Sequence, residues 1–192
     1  VGVSGDTPDM VVGVYLGYDR PRQLGRGVTG GQYAAPIVRE FMKVALAGDH
    51  AGFPLKQAIK EALAKDARYE VLDLGTHTPD PCDYPDSAIA VGDALRAGRV
   101  EKGIVVCGSG VGVTVAATEI PGVRAGLCHD HYSAHQGVEH DDMNVLCLGA
   151  RIIGPSPALE IVTAFLDARY SREERHARRL EKVIAIEKKY SK

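Results

Sequence analysis

Apolar and polar positions alternate along the chain in a strand–helix rhythm that begins near residue 43. Short apolar runs predict five strands, over residues 43–48, 69–74, 102–107, 123–128 and 144–148. Longer amphipathic segments predict helices near 53–65, 86–97, 112–118, 131–139 and 156–168, and a last helix from about 172 to 189. In the first helix, Leu55, Ile59, Ala62 and Leu63 recur at the spacing of one buried helical face.

This alternation predicts an α/β fold with a five-stranded parallel sheet. Right-handed βαβ units place the strands parallel and cover both faces of the sheet with helices. Ligands bind such sheets at the carboxyl ends of the strands, so the loops that follow the strands are the candidates for a site. These loops are 48–52, 75–85, 107–112, 128–130 and 148–151.

The first 41 residues have a different composition. They are rich in glycine and turn residues, with one strand-like run over 10–18, a loop over 25–31 and a short helix expected from 36 to about 42. A piece of this size buries too little to form its own core. The change near Met42 predicts a leader, residues 1–41, and a main domain, residues 42–192.

Composition narrows the class of protein. The 192 residues are 45% hydrophobic and 25% charged, with a net charge of -2, so no global field recruits nucleic acid. No apolar run approaches the ~18 residues of a membrane span, and no signal-peptide pattern opens the sequence. Four cysteines without a CxxC pair are typical of free thiols in the cytoplasm.

A glycine-rich loop follows the third strand of the main domain. Cys107 ends that strand, and Gly108, Ser109, Gly110, Val111 and Gly112 lead into a helix. Free N–H groups at a helix start bind an anion or a developing oxyanion, although the same loop is also a plausible tight turn. A cysteine there is favoured as thiolate and could act as base or nucleophile; the alternative is a small buried hydrophobe.

Two further segments carry polar side chains at strand ends or in the following helix. Asp49 and His50 follow the first strand, where they suit sugar hydroxyls or an N-cap equally well. Residues 128–142 hold His129, His131, His135 and His140 among several acids. Proton transfer by one histidine, a metal site and plain surface polarity all stay open.

Arginines on the last predicted helix offer a grip for phosphate. Arg175 and Arg179 are four residues apart, so they share one helix face. A solvated helix stabilised by Glu–Arg pairs is the alternative.

Several segments of the main domain occur together in the order and spacing of one known family. They are Gly48-Asp49-His50-Ala51-Gly52-Phe53, Asp83-Tyr84-Pro85-Asp86, Cys107-Gly108-Ser109-Gly110-Val111-Gly112, His140-Asp141-Asp142-Met143-Asn144-Val145-Leu146, Gly149-Ala150-Arg151, and Arg175-His176 with Arg179. On these motifs, residues 42–192 resemble the ribose-5-phosphate isomerase B / LacAB sugar isomerase family.

The resemblance implies a Rossmann-like three-layer α/β/α domain with a C-terminal helix. It implies a homodimer or tetramer with the active site at a subunit interface, a sugar phosphate as the substrate, and no metal or organic cofactor. The reaction it implies interconverts ribose 5-phosphate and ribulose 5-phosphate.

The resemblance also implies a role for each matching residue. Cys107 is the base that moves a proton between C1 and C2, and His140 is the acid that assists opening of the furanose ring. The loop 108–112 holds the enediolate oxygens through backbone N–H groups. The residues implied around the sugar and its phosphate are Asp49, His50, Tyr84, Arg151, Arg175 and Arg179.

Two positions depart from the family pattern. Ser109 stands where the family often has Thr, which keeps the hydroxyl. Asp141 stands where it often has Asn, and an ionised carboxylate accepts hydrogen bonds without donating them. Asp141 therefore leaves the sugar open, with allose 6-phosphate or galactose 6-phosphate as alternatives. A non-catalytic sugar-phosphate sensor and a metal-dependent hydrolase are the competing functions.

The leader resembles a different protein class. Asp9 to Asp19 and Thr29 to Ile37 are similar to the end of a penicillin-binding protein transpeptidase domain, but the SxxK, SxN and KTG elements of that chemistry are missing. Residues 1–41 are therefore expected to be a non-catalytic fragment, fused or mis-called upstream of Met42.

Overall fold

The computed structural model describes residues 2–7, 10–15 and 41–190, in two compact units, Val1–Phe41 and Met42–Lys192. In the first unit, strands β1 (Gly2–Thr7) and β2 (Met10–Tyr15) pair antiparallel. Residues 16–18 of the expected strand, the expected loop 25–31 and residues 36–40 of the expected helix lie outside the described residues. Met42, the expected end of that helix, belongs instead to a strand.

The second unit alternates strands and helices as the apolar pattern predicts. Its strands are β3 (Met42–Gly48), β4 (Tyr69–Asp73), β5 (Lys102–Cys107), β6 (Ala125–Leu127) and β7 (Val145–Gly149). Its helices are α1 (Phe53–Leu63), α2 (Tyr84–Arg96), α3 (Val111–Thr118), α4 (His131–Asp141), α5 (Pro155–Asp167) and α6 (Glu174–Tyr190).

The five strands of the second unit form one parallel sheet in the order β4-β3-β5-β7-β6. The central strands β3, β5 and β7 are almost wholly buried, because helices cover both faces of the sheet. This arrangement confirms the predicted three-layer α/β/α fold with a C-terminal helix. No helix among the described residues is long and apolar enough to cross a membrane.

Alternate residues of each central strand pack into two separate hydrophobic cores, one on each face of the sheet. On one face, Ile104 and Leu146 pack with the buried sides of α1, α4 and α5. On the other face, Val105, Cys107 and Cys147 pack with α2 and α3. The period of two along each strand therefore places the Cys107 side chain on the α2–α3 face of the sheet.

Strand β6 is shorter than the predicted run 123–128. It lies at the edge of the sheet and pairs with β7 alone, from Ala125 to Leu127. Before it, the Val123 N–H donates to the carbonyl of Ile120 in a turn, and the Arg124 N–H donates to Oδ1 of Asn144. These bonds occupy the N–H groups of the first two residues of the predicted run, so the strand begins only at Ala125.

Candidate active site

The loops that follow the strands meet around Cys107, at the carboxyl edge of the sheet. Cys107 ends β5 opposite Gly149 of β7, and only 5% of the residue is exposed. Its Sγ accepts a hydrogen bond from the Gly110 N–H at 3.1 Å. Negative charge on the sulfur is stabilised by that N–H and by the start of α3.

The glycine at position 110 has a conformational reason. Gly110 precedes α3 with φ 80°, in the left-handed region that favours glycine. A Cβ there would lie 2.4 Å from Leu127 Cδ1 and 2.9 Å from the carbonyl carbon of Leu148. Only glycine turns the chain at this point and directs its N–H to Cys107.

The first turn of α3 presents backbone N–H groups beside the sulfur. The Val111 N–H donates to Oγ of Ser109 at 3.3 Å, and a helix start leaves further N–H groups without helical partners. The Tyr84 ring lies against this turn, since a Cβ on Gly112 would come within 3.1 Å of it. The arrangement suits a ligand that carries developing negative charge next to Sγ.

Asp49 and His50 are fixed at the same edge by backbone contacts. Oδ1 of Asp49 accepts the Gly52 N–H at 2.8 Å, so Asp49 shapes the turn, whereas the N-cap of α1 is Gly52. Nδ1 of His50 lies 3.2 Å from both the N and the O of Cys82. That contact occupies Nδ1, so Nε2 is the ring nitrogen of His50 that could bind a ligand.

Arg151 brings a positive charge to the glycine loop. The backbone N–H of Arg151 donates to the carbonyl of Gly108, and the backbone N–H of Ala150 donates to the carbonyl of Cys107, both at 2.9 Å. A Cβ on Gly108 would lie 3.5 Å from Nε of Arg151. The guanidinium therefore covers the backbone of the loop, where it can meet an anionic ligand.

His140 lies at the opposite edge of the sheet. Helix α4 connects the parallel strands β6 and β7, so it runs back from the carboxyl edge to the amino edge. His140 is the second-last residue of α4, and ten residues of helix span roughly 15 Å. Within one chain, His140 and Cys107 therefore stand at the two ends of the domain.

The start of α6 joins His140 at this amino edge. The rings of His140 and His176 stack with centroids 4.0 Å apart, and Nδ1 of His140 lies 2.7 Å from Nε2 of Gln136. Burial is the main cause of a lowered pKa of His176, and the nearby His140 and Arg175 lower it further. Nε of Arg175 donates to Glu173 at 2.8 Å.

The candidate residues thus form two groups. One group at the carboxyl edge comprises Asp49, His50, Tyr84, Cys107, the loop 108–112 and Arg151. The other group at the amino edge comprises His140, Asp141, Arg175 and Arg179, of which Asp141, Arg175 and Arg179 are exposed.

A buried charge network behind the carboxyl-edge group is absent from the sequence-based expectations. Lys56 is fully buried. Its Nζ donates to Oδ1 of Asp73 at 2.6 Å and to the carbonyl of Thr76 at 2.7 Å. Burial alone would raise the pKa of Asp73, but hydrogen bonds from Lys56 and Lys60 outweigh it and hold that pKa below its usual range. Lys56 thereby ties α1 to the loop that carries Cys82. The apolar pattern of the helix cannot predict that Lys56 is buried, because a lysine is expected at the surface.

The histidine-rich segment offers no preformed metal site. Among residues 2–7, 10–15 and 41–190, no group of three or more His, Cys, Asp or Glu side chains is arranged to hold a metal ion. His131 and His135 lie on the exposed side of α4, and Nδ1 of His135 lies 3.5 Å from Glu139.

Comparison with known proteins places this domain among sugar isomerases. Residues 44–183 match the family model described as Ribose/Galactose Isomerase. Ribose-5-phosphate isomerase B of Escherichia coli is 42% identical over 147 residues, which is 77% of this chain and 97% of that protein. D-erythrulose-4-phosphate isomerase 2 of Mycolicibacterium smegmatis is 32% identical over 148 residues, 76% of this chain and 97% of that protein.

A solved structure has the same fold at comparable identity. The Clostridium thermocellum ribose-5-phosphate isomerase B superimposes with a TM-score of 0.75 and 44% sequence identity. The match covers 78% of this chain and 100% of the other.

Proposed function

The chain belongs to the ribose/galactose isomerase family and is a sugar-phosphate isomerase, and we propose that it interconverts ribose 5-phosphate and ribulose 5-phosphate. The observation that carries this proposal is the pairing of Cys107 with the loop after it. A sulfur that accepts the Gly110 N–H stands beside the open first turn of α3, so a base and an oxyanion site adjoin.

The reaction that fits this pairing is proton transfer through an enediolate. Sγ of Cys107 takes the proton from C2 of the open aldose, the C2–H electron pair forms the C1–C2 double bond, and O1 carries the negative charge. Backbone N–H groups of the loop 108–112 stabilise that charge. After a proton passes from O2 to O1, Sγ returns its proton to C1, which yields the ketose.

His140 is the proposed acid for opening the furanose ring, and its position requires a second protomer. Because His140 and Cys107 lie at opposite edges of one domain, they act on one sugar only when the amino edge of one protomer meets the carboxyl edge of another. A two-fold dimer does this twice, with the same surfaces used on both sides. Arg175 and Arg179 then reach the phosphate from the same protomer as His140.

Exposed apolar side chains support a second copy as the partner. Val183, Ile186 and Tyr190 on α6 are 51%, 59% and 70% exposed. They line a groove of about 920 Å³ that also includes Ile120 and Met143. A surface of this kind on an enzyme domain is typical of an interface, and here it continues from the helix that carries Arg175.

The length of the sugar is set by contacts outside the reacting carbons. Among the relatives, the Mycolicibacterium smegmatis protein is an isomerase of the four-carbon D-erythrulose 4-phosphate. In this chain Asp141 is exposed beside His140, and as a carboxylate it can only accept hydrogen bonds from sugar hydroxyls. Six-carbon phosphates such as allose 6-phosphate or galactose 6-phosphate are the alternative substrates.

A panel of aldose phosphates with four, five and six carbons at matched concentration tests the proposal. We expect the highest kcat/KM on ribose 5-phosphate, and a loss of at least about a thousandfold in kcat for Cys107→Ala with KM little changed. The matched control Cys128→Ala removes a buried thiol that lies on the other face of the sheet and should keep its rate. Full activity in Cys107→Ala would overturn the mechanism, and a higher kcat/KM on another sugar would reassign the substrate.

Residues 1–41 are proposed to take no part in this chemistry. All the residues named in the mechanism belong to the unit Met42–Lys192. A protein without residues 1–41 should therefore keep the kcat and KM of the full chain. The four free cysteines support a cytoplasmic location, where thiols stay reduced.

A further inference from the structure

His129 makes one contact that ties it to the catalytic loop. It follows β6 at the carboxyl edge, two residues before α4, and it is half-buried. Its Nε2 accepts a hydrogen bond from the backbone N–H of Gly149, at 3.0 Å. Gly149 is the sheet partner of Cys107.

This hydrogen bond fixes the protonation state of the His129 ring. A backbone N–H can only donate, so Nε2 must present a lone pair. The ring is then neutral with its proton on Nδ1. A protonated imidazole has a donor on both nitrogens, and that form cannot hold the Gly149 N–H.

The peptide that His129 holds is packed directly against the glycine loop. A Cβ on Gly149 would lie 2.5 Å from the carbonyl oxygen of Ser109, and a Cβ on Gly110 would lie 3.0 Å from the Gly149 nitrogen. The backbones of the two segments are therefore in contact without intervening side chains. A shift of the Gly149 peptide moves the residue whose N–H bonds to Sγ of Cys107.

We propose that neutral His129 is a positioning residue, which holds the Gly149 peptide and through it the N–H groups of the loop 108–112. The inference rests on the proposed function, since it assigns the loop its role toward the enediolate. Those N–H groups meet full negative charge only in the transition state, so a misplaced loop lowers kcat more than it raises KM.

Other ionisable groups lie on the segments that meet at this point. They are Cys128 and Asp130 beside His129 in the chain, His131 at the start of α4, Cys147 on β7, Cys107 on β5 and Arg151 after β7. Burial raises the pKa of Cys128 to about 11, and burial raises that of Cys147 to about 12, so both thiols are neutral at pH 8.

Three variants separate the acceptor role from a merely structural one. His129→Leu removes the acceptor, whereas His129→Gln replaces it with an amide oxygen that can accept the same N–H. His135→Leu is the matched control, because His135 is exposed on α4 and lies outside the catalytic and binding groups. Steady-state kinetics on ribose 5-phosphate at pH 8 should give a kcat roughly 10- to 100-fold lower for His129→Leu, with KM within about twofold. His129→Gln should stay within about threefold of the wild-type kcat, and His135→Leu should be unchanged.

A second measurement reports on the hydrogen bond without any turnover. In the wild-type protein at pH 8, the hydrogen-bonded Gly149 amide proton should lie downfield in the NMR spectrum of its position in His129→Leu, which has no acceptor at this site. In His129→Gln, whose amide oxygen can accept the same N–H, the Gly149 shift should lie closer to the wild-type value than to that of His129→Leu. Because no substrate is present, this result is independent of the proposed function.

The outcomes divide cleanly between the two claims. Wild-type protein that turns over no aldose phosphate overturns the proposed function. If the wild-type protein is active, two results overturn the positioning role alone. One is a His129→Leu variant that keeps its kcat, and the other is a His129→Gln variant as impaired as His129→Leu. A Gly149 amide shift that is the same in wild-type protein and in His129→Leu overturns the hydrogen bond itself.

Discussion

The imidazole rings of His140 and His176 are stacked, with centroids 4.0 Å apart and planes inclined by 29°. Only 2% of His176 is exposed, and neither of its ring nitrogens has a hydrogen-bond partner among the described residues. Burial of this kind disfavours the charged ring, and the neighbouring His140 and Arg175 act in the same direction, so the pKa of His176 is lowered. The proposed acid, His140, is therefore packed against the neutral, buried ring of His176.

Replacement of His176 should change how stability depends on pH. The folded-state pKa of His176 lies below its unfolded value, so the unfolded chain binds a proton that the native state resists as pH falls below about 6.5. Native stability is then lost on acidification. Urea unfolding at pH 7.5 and pH 5.5 should show a smaller loss for His176→Leu than for wild-type protein.

His135→Leu serves as the control for this comparison, since His135 is exposed at the surface of α4. It should lose as much stability between the two pH values as wild-type protein does. Equal losses in His176→Leu and His135→Leu would contradict a lowered pKa for His176.

Gly110→Ala should impair both stability and turnover. The new Cβ combines a φ of 80° with contacts of 2.4 Å to Leu127 and 2.9 Å to Leu148. We expect a loss of about 2–4 kcal/mol in unfolding free energy and a fall in kcat of about a hundredfold, because the N–H that meets Sγ of Cys107 is displaced.

Gly122→Ala isolates the backbone cost of that substitution. Gly122 has φ 84°, and a Cβ on it would meet nothing within 4 Å. This variant should lose about 1 kcal/mol and keep its kcat. Equal rates in the two variants would mean that the turn at Gly110 is structural only.

Lys56→Met should destabilise the domain far more than Lys60→Met. Both lysines bind Asp73, but Lys56 is fully buried and the side chain of Lys60 is 43% exposed. Loss of the buried partner leaves the Asp73 carboxylate with less compensation and frees the Thr76 carbonyl, at a cost of about 3–5 kcal/mol. Loss of the exposed partner should cost at most about 1 kcal/mol. Denaturant unfolding at pH 7 measures both, and similar losses would refute the central role of Lys56.

The sheet and its covering helices could be predicted because buried strands appear as short apolar runs, whereas helices show apolar residues three to four positions apart. Helix α1 shows where that reasoning fails. Its predicted stripe included Ala62, which is half-buried, and omitted Lys56, which is fully buried. The partners of Lys56 lie 17 and 20 residues away, so no local pattern indicates that its charge is neutralised inside the fold.

The sequence names the candidate residues one by one, but their division into two groups follows only when the direction of the predicted helix 131–139 is considered. The rule that ligands bind at the carboxyl ends of strands selects the loops around Cys107, and His140 is outside those loops. A helix between two parallel strands must return to the amino edge, so the predicted helix 131–139 already placed His140 there. The contact of His129 with Gly149 joins residues 20 apart in different loops, and the sequence gives no sign of it.

Mixed dimers test most directly the central claim, that isomerisation uses Cys107 and His140 in one site shared by two protomers. Cys107→Ala and His140→Ala protomers, each inactive alone, are unfolded together, refolded and assayed on ribose 5-phosphate. Half of the dimers should be hybrids, and each hybrid holds one complete site of two, so the mixture should recover about a quarter of the wild-type activity. A mixture that forms hybrid dimers yet stays as inactive as its parents would contradict the shared site.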